Sequence, residues 1–404
     1  MKKILKTISV PLRYNLYLPS HVRVCFGDLF GIGSKLSADI EHLEAAVSWL
    51  KCAQDTTNDG GVSAGYSFSR GRLPSYPETT GYIIPTFIAN YHFFNKGEYL
   101  NRAVKMADWL VSIQLQGGAF QGSFISKSPK PIVFNTGQAL QGLIRIYKET
   151  RQGKYFEASI KAARWLVEVQ DKKDGAWRKF TYNGIPHVYH TRVTWPLLEL
   201  YELTLNETYL KAATKNIEWA LGNQEENGWF RNNAFDAKSA PFLHTIAYAI
   251  EGLLECAALM QNKAWLEAAI KPAEVLLRKF EIQGILSGVY NDKWQSMAGY
   301  RCLSGEAQMS VCWLRLFELT NDGRYLNAAL KLNDALKKLQ NNGSKNRGIK
   351  GGIKGSHPIW GSSSRFSYPN WAAKFFADAL MLEEKLLKKE RELLKERISK
   401  RIKR

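Results

Sequence analysis

His190-Thr191 and His244-Thr245 stand 20 residues after Gln170 and Gln224, so two histidines hold the same place in two stretches of similar pattern. Asn135-Thr136 holds that place once more, offset by one residue. Tyr189, Arg192, Tyr248, Arg301, Glu306 and Gln308 belong to the same set of segments. A His or Tyr base can take a proton from carbon, and Arg, Asn or Gln groups can stabilise the enolate that forms. That inventory suits removal of the C5 proton of a uronic acid, the step shared by uronate epimerases and lyases. The competing chemistry is glycoside hydrolysis, which places two carboxylates about a glycosidic bond. Asp59, Glu78, Asp174, Glu226, Asp236 and Asp292 are the acids available for it. Asp59 and Asp174 sit in Asp-Gly turns, which weakens that pairing. Proton abstraction is therefore favoured, with His190, His244, Arg192 and Tyr368 as catalytic candidates. The plain alternative is that the His and Asn residues merely finish a turn before a Thr N-cap.

Around these positions the chain is rich in aromatic residues next to polar ones. Flat rings stack on the C–H faces of sugars while neighbouring side chains bond to hydroxyls. The substrate-binding candidates are Tyr76, Glu78, Asn135, Trp177, Tyr189, Trp229, Tyr248, Arg301, Gln308, His357 and Trp360. Any one of these rings could instead just pack a loop. The Gln followed by Gly-Trp at 224–229 resembles the repeat signature of terpene cyclases and protein prenyltransferases. Yet the chain has no Asp-Asp pair for an acidic cyclase motif, and no Cys/His set with zinc-ligand spacing. Neither metal nor cofactor is expected.

The elements that must position these residues are helices. Ser304–Thr320 is apolar on nearly every side and should be buried all round. Asn321-Asp322-Gly323 stops it, and an amphipathic helix follows to Gln340 with Tyr325, Ala329, Leu332, Leu336 and Leu339 on one stripe. Such a hairpin cannot cover itself and needs copies beside it. The opening aromatic recurs as Tyr99, Tyr155, Tyr209, Trp265 and Tyr325, spaced 56, 54, 56 and 60 residues. A terminal marker recurs as Gln54, Gln114, Gln170, Gln224, Phe280 and Gln340. Inner helices are expected at 80–94, 135–150, 190–204, 244–257, 304–320 and 368–382. Six hairpins of this kind predict an all-α (α/α)6 toroid, with an open solenoid as the alternative. Loops from inner to outer helices are short, whereas 20 to 28 residues separate each marker from the next inner helix. All six long loops should emerge on one face, and that face should be the working one.

The 404 residues are 45% hydrophobic, ordinary for a globular chain. The organisation predicted is an N-terminal extension over 1–36, the toroid over 37–382 and a basic amphipathic tail over 383–404. Five cysteines without a CxxC pair suit a reducing compartment. The basic start of the chain has no apolar segment of signal-peptide length, so a cytoplasmic location is expected, peripheral to the inner face of a membrane. The formal charge is +19. Ten Lys/Arg against three Glu from Lys385 to Arg404 put +7 of it in the tail, leaving +12 in the body. The tail's Leu386, Leu387, Leu393, Leu394, Ile398 and Ile402 form a helical stripe suited to anionic lipid or an acidic assembly protein, unless it is only a solvated extension of the last helix. The body's charge suits an anionic polysaccharide or oligosaccharide. No nucleic-acid motif accompanies it.

CLSGEAQMSVCWLRLFELTNDGRYLNAA (Cys302–Ala329) and GSHPIWG with YPNWAAKFFADAL (within Gly355–Leu380) resemble the VpsJ-type polysaccharide biosynthesis proteins of bacterial exopolysaccharide loci. That resemblance spans the toroid and implies a role in making or remodelling a surface polysaccharide. It carries no catalytic residues with it. NTGQALQGLIRIY (Asn135–Tyr147) resembles a helix in the catalytic domain of heparosan glucuronyl C5-epimerases. The six-hairpin glycosidases and unsaturated-uronyl hydrolases are similar at the level of fold. Either enzyme chemistry stands against a non-catalytic reading, a glycan-binding or scaffold subunit of the assembly machinery.

Overall fold

A computed structural model of the chain describes residues 10–402, so the basic start within residues 1–9 lies outside the described residues. After a short helix α1 (Pro19–Leu29), twelve helices alternate between two rings. The outer ring holds α2 (Asp39–Asp55), α4 (Gly97–Ile113), α6 (Gly153–Val169), α8 (Glu207–Leu221), α10 (Lys263–Gln283) and α12 (Gly323–Lys337). The inner ring holds α3 (Pro77–Phe94), α5 (Val133–Thr150), α7 (Thr191–Thr204), α9 (Leu243–Met260), α11 (Leu303–Thr320) and α13 (Asn370–Ile402). The protein is an (α/α)6 toroid. Each inner helix packs on the next, and α13 packs on α3, so the ring is closed and the solenoid alternative falls.

The two helix types follow from their apolar patterns. On α11, Met309, Cys312, Trp313, Leu314, Leu316 and Phe317 are buried on all sides of the helix. On α12 burial is confined to Tyr325, Ala328, Ala329, Leu332, Asn333, Leu336 and Lys337, one stripe on a polar helix. Small residues set how near the inner helices lie. A Cβ on Gly142 would stand 2.3 Å from the carbonyl oxygen of Gly81, and one on Gly252 would stand 2.5 Å from Thr191. α9 is apolar and long enough to cross a membrane, but 78% of it is buried within the toroid.

The recurring glutamines tie neighbouring outer helices together. Gln170 Nε2 donates to Gly175 O in its own turn and to Ala212 O of the next outer helix, both at 2.9 Å. Gln54 and Gln114 repeat the pattern on Arg102 O and Ala158 O, and Gln224 reaches Ala268 O. Gln340 closes the circle by donating to His42 O of the first outer helix at 3.0 Å. The fifth repeat has Phe280 instead, whose ring lies 5.5 Å from Trp313.

The long loops all leave the outer helices at one face and carry small strands. β1 (Gly65–Ser67) lies between β2 (Gly71–Arg72) and β5 (Ser367–Pro369), with Tyr66 opposite Tyr368. β3 (Arg301–Cys302) pairs with β4 (Ser356–His357). The threonines expected as N-caps (Thr136, Thr191 and Thr245) lie instead inside the first helical turns, as does Thr80. Thr136 Oγ1 accepts from Phe120 N at 2.9 Å, and Thr80 Oγ1 from Val62 N at 3.0 Å. Thr136 and Thr80 thus anchor the preceding loop rather than cap the helix, and Thr191 Oγ1 donates to Ala249 O of α9.

Both ends of the chain depart from the expected boundaries. His21 of α1 stacks on Phe68 at 3.8 Å and bonds Tyr66 Oη at 2.9 Å, so the N-terminal extension is folded onto the long-loop face. At the other end α13 runs on without a break past Leu382. Leu386 is buried and Asn333 Nδ2 donates to Glu383 Oε2 at 2.6 Å, so the packed part of the helix ends near Leu387.

Candidate active site

The inner helices start at the long-loop face, and their first turns surround a cavity of 540 Å³ on the toroid axis. Phe134, Tyr189, Phe235, Phe242, Tyr248 and Trp371 give it aromatic walls. Tyr76, Glu78, Asn135, His244 and Ser362–Ser364 supply polar groups, and Lys130 stands on the lip. Rings with a few convergent polar groups are the ordinary make-up of a small-ligand site.

Glu78, in the first turn of α3, is the one carboxylate lining this cavity among the described residues. Tyr76 Oη donates to Glu78 Oε2 at 3.1 Å. Burial pushes the Glu78 carboxyl up to about 7, against the pull of Tyr76 and of the Arg192 charge. A first-turn acid would otherwise gain from the helix N-terminus. Here loss of water outweighs that gain.

His244, in the first turn of α9, is held the other way. Burial, and then the positive charge of Arg192, bring its ring down to about 3. Gln308 Nε2 donates to Glu251, and its Oε1 is left beside the His244 ring, whose Nδ1 has no other acceptor. Glu251 in turn is ion-paired with Arg192. His244 Nδ1 and Gln308 Oε1 are both buried without a hydrogen-bond partner, so Nδ1 is turned inward and Nε2 is the nitrogen left for the cavity. Two titratable groups in one cavity with pKa values driven apart are a pattern of acid–base sites.

The structure separates the four catalytic candidates. His244 lines the cavity, and His190 does not. His190 is caged by Phe134, Trp177, His187 and Tyr189, with both ring nitrogens unpartnered. The reason is a two-residue shift: α7 begins at Thr191, one residue after His190, whereas α9 begins at Leu243, one residue before His244. Two residues turn a side chain by about 200° about a helix axis. Arg192 lies beneath the cavity floor, over the rings of Tyr248 and Phe375 and bonded to Gln138 Oε1 at 3.1 Å. Tyr368 is buried in the strand that pairs with β1, against Phe68.

Of the binding candidates, Tyr76, Glu78, Asn135, Tyr189 and Tyr248 line the cavity. Gln308 supports His244 from behind. Trp177 is fully buried, with Nε1 donating to Leu166 O at 2.9 Å, and Trp229 packs edge-on against Trp294. Both are structural. Arg301 is held by both oxygens of Glu306 at 2.8 and 2.6 Å. His357 faces Asp28 at 3.2 Å, and Trp360 is outside the lining. Of the other acids, Asp59 accepts from Gly61 N and Ser75 Oγ, and Asp174 pairs with Arg178. Asp236 is spent on its own turn, and Glu226 and Asp292 are exposed on loops outside the lining. Among the lining residues that the sequence reading did not single out are Lys130, Phe242 and Ser362–Ser364. They come from irregular loops or lie just beside a named position, where no period marks them.

A second cavity of 630 Å³ opens at the short-loop end of the axis, and the two linings share no residue. Tyr82, Arg192, Tyr248 and Phe375 form the layer between them. Though larger, this cavity is lined by charges already matched: Arg315 with Glu255 at 2.7 Å and Lys374 with Asp378 at 2.7 Å, besides Arg145 with Glu199 and Arg192 with Glu251.

No protein-family model and no curated protein sequence matches this chain. Solved structures do. An unsaturated glucuronyl hydrolase specific for heparin superposes with a TM-score of 0.70 at 15% identity, covering 86% of this chain and 97% of its own. Cellobiose 2-epimerase from Bacillus thermoamylovorans B4167 gives 0.69 at 15% identity, covering 86% and 98%. The unsaturated glucuronyl hydrolase of Bacillus sp. GL1, responsible for the degradation of glycosaminoglycan, gives 0.67 at 14% identity, covering 85% and 96%. What they share with this chain is the toroid. Nearly the whole length of each is matched, so the likeness is that of a complete fold.

Proposed function

We propose that this protein is a carbohydrate-processing enzyme whose site is the long-loop cavity, with Glu78 as the acid and His244 as the base. The observation that carries the reading is the pair itself: Glu78 and His244 line one aromatic-walled cavity, and burial shifts the carboxyl up to about 7 and the imidazole down to about 3. That two of the structural neighbours degrade uronic-acid glycans and one epimerises a disaccharide supports a glycan substrate. Charge on the body and Lys130 at the lip favour an anionic glycan. The proposal extends, on the resemblance to VpsJ-type proteins, to a role in exopolysaccharide production or modification in the cytoplasm, with the basic end of α13 offered to an acidic protein of the assembly machinery.

Proton transfer at carbon is the reaction that suits the residues best. His244 Nε2 removes the proton next to the sugar's carbonyl or carboxylate group. In an epimerisation protonated Glu78 returns a proton to the same carbon from the other face, and solvent resets both groups. In an elimination Glu78 protonates the departing glycosidic oxygen instead. Hydrolysis is the second reading: Glu78 protonates the glycosidic oxygen while His244 activates water. It lacks the second carboxylate of the usual hydrolase pair, because Glu78 has no acidic companion in the lining among the described residues.

Incubation with acidic polysaccharides in deuterated water tests this. Deuterium on the sugar carbon marks epimerisation, an ultraviolet-absorbing unsaturated uronate marks elimination, and new reducing ends alone mark hydrolysis. Glu78→Gln and His244→Ala should each lower turnover by about 10²- to 10⁴-fold with the fold intact. His190→Phe should leave it unchanged, since that ring is outside the cavity. Binding without turnover in the wild type would make the protein a glycan-binding subunit and sink the enzymatic reading.

A further inference from the structure

α1 is apolar on two faces. His21, Val24, Cys25 and Asp28 face the toroid, whereas Val22, Phe26, Leu29 and Phe30 form a second stripe turned away from it. Phe26, Leu29 and Phe30 are 53%, 67% and 61% exposed, and Ile32 just beyond is 62% exposed. The Phe26 and Phe30 rings lie 4.3 Å apart, so the stripe is one continuous patch. Leu12, Tyr17 and Leu18, which precede α1 in the chain, are exposed as well. A patch of this size on a soluble surface marks an interaction site.

Charge decides what covers it. Residues 1–38 carry six Lys/Arg and one acid. That acid, Asp28, is spent on Lys354, on His357 and on Ile359 N at 2.7 Å. Arg13, Arg23 and Lys35 are exposed and make no ion pair among the described residues. Exposed Phe and Leu flanked by unopposed basic residues are the make-up of a helix that lies in the interface of an anionic bilayer.

We propose that the outer face of α1 docks this protein on an anionic membrane surface. The consequence is geometric. The loop that holds Asp28 runs on to Ser362–Ser364 in the wall of the long-loop cavity, so docking through α1 sets the mouth beside the bilayer. A membrane-attached substrate would reach it there. The basic end of α13 leaves the toroid at the opposite, short-loop face, and a flat surface cannot meet both. Docking through α1 does not depend on which reaction the cavity performs.

Flotation of the full chain with phosphatidylcholine vesicles, with and without phosphatidylglycerol, tests the assignment. Binding should require the anionic lipid, weaken with salt, and survive deletion of residues 388–404. The triple variant Phe26→Ser, Leu29→Ser, Phe30→Ser should lower partitioning on the order of 100-fold with helical content and melting unchanged. Arg13→Glu with Arg23→Glu should remove the preference for anionic lipid, which serves if the triple variant folds poorly. Absence of vesicle binding by the wild type, or loss of binding on deleting 388–404 alone, overturns the proposal. So does a wild-type dimer in light scattering that the triple variant turns into a monomer, since a second copy would then be the occupant.

Discussion

Glu78 and His244 couple proton binding to folding with opposite signs. The folded state holds Glu78 at about 7 against an ordinary 4.5, so it binds that proton more tightly than the unfolded chain does. The contribution to stability is complete below 4.5 and is lost as pH rises through about 7. His244 is held at about 3 against 6.5, so its contribution is present above 6.5 and is lost as pH falls toward 3. Between about pH 5 and pH 8 the loss from Glu78 should be about 1–3 kcal/mol, discounted for water in the cavity. Denaturant unfolding at both ends of that window should show Glu78→Gln free of this loss and at least as stable as wild type at the alkaline end. An equal slope in both proteins would mean that Glu78 ionises normally, and its role as the acid would go with it. Turnover that depends on protonated Glu78 should likewise fall as pH rises past about 7.

The helical elements were legible because their signals are periodic. Buried inner helices, striped outer helices and the Gln marker repeat six times, or five for the Gln itself, and each repeat corroborates the rest. Side-chain direction at the helix starts was not legible. His190 and His244 hold the same repeat position, yet a two-residue difference in where the helix begins sends one into a cage of rings and the other into the cavity. Trp177 and Trp229 show the same limit for loops, where stacking on a sugar and packing on a helix end call for the same residue. The marker glutamines, by contrast, act as their regularity suggests. Gln170→Ala should cost about 1–3 kcal/mol, since two side-chain hydrogen bonds go while both carbonyls keep other partners. Gln340→Ala should cost more. It is fully buried, and its Oε1 also meets His42 Nδ1 at 2.5 Å, so its loss opens the seam between the last and first outer helices. Thermal melting of the two variants would settle the order, and equal losses would deny the seam any special weight.

At the scale of the whole molecule, that seam is where the two ends of the chain meet. Five inner helices pack on the outer helix that follows them, but α13 has no successor and packs on α2. β5 pairs with β1 and Lys337 bridges to Asp39, so the last repeat is joined to the first at both faces. The C-terminal helix is therefore a closing element, and only part of its basic end is dispensable. Truncation after Leu382 would remove Glu383, which accepts from Asn333, and Leu386, which is buried in the core. One buried leucine and one charged hydrogen bond together amount to about 3–5 kcal/mol. Truncation after Leu387 removes only exposed residues among those described, and should leave unfolding within about 0.5 kcal/mol of wild type. Circular dichroism melts of the two truncations side by side make the test. If both melt like the full chain, the toroid closes without Leu386. If both melt early, the exposed part of the helix stabilises the seam in a way that its burial does not reveal.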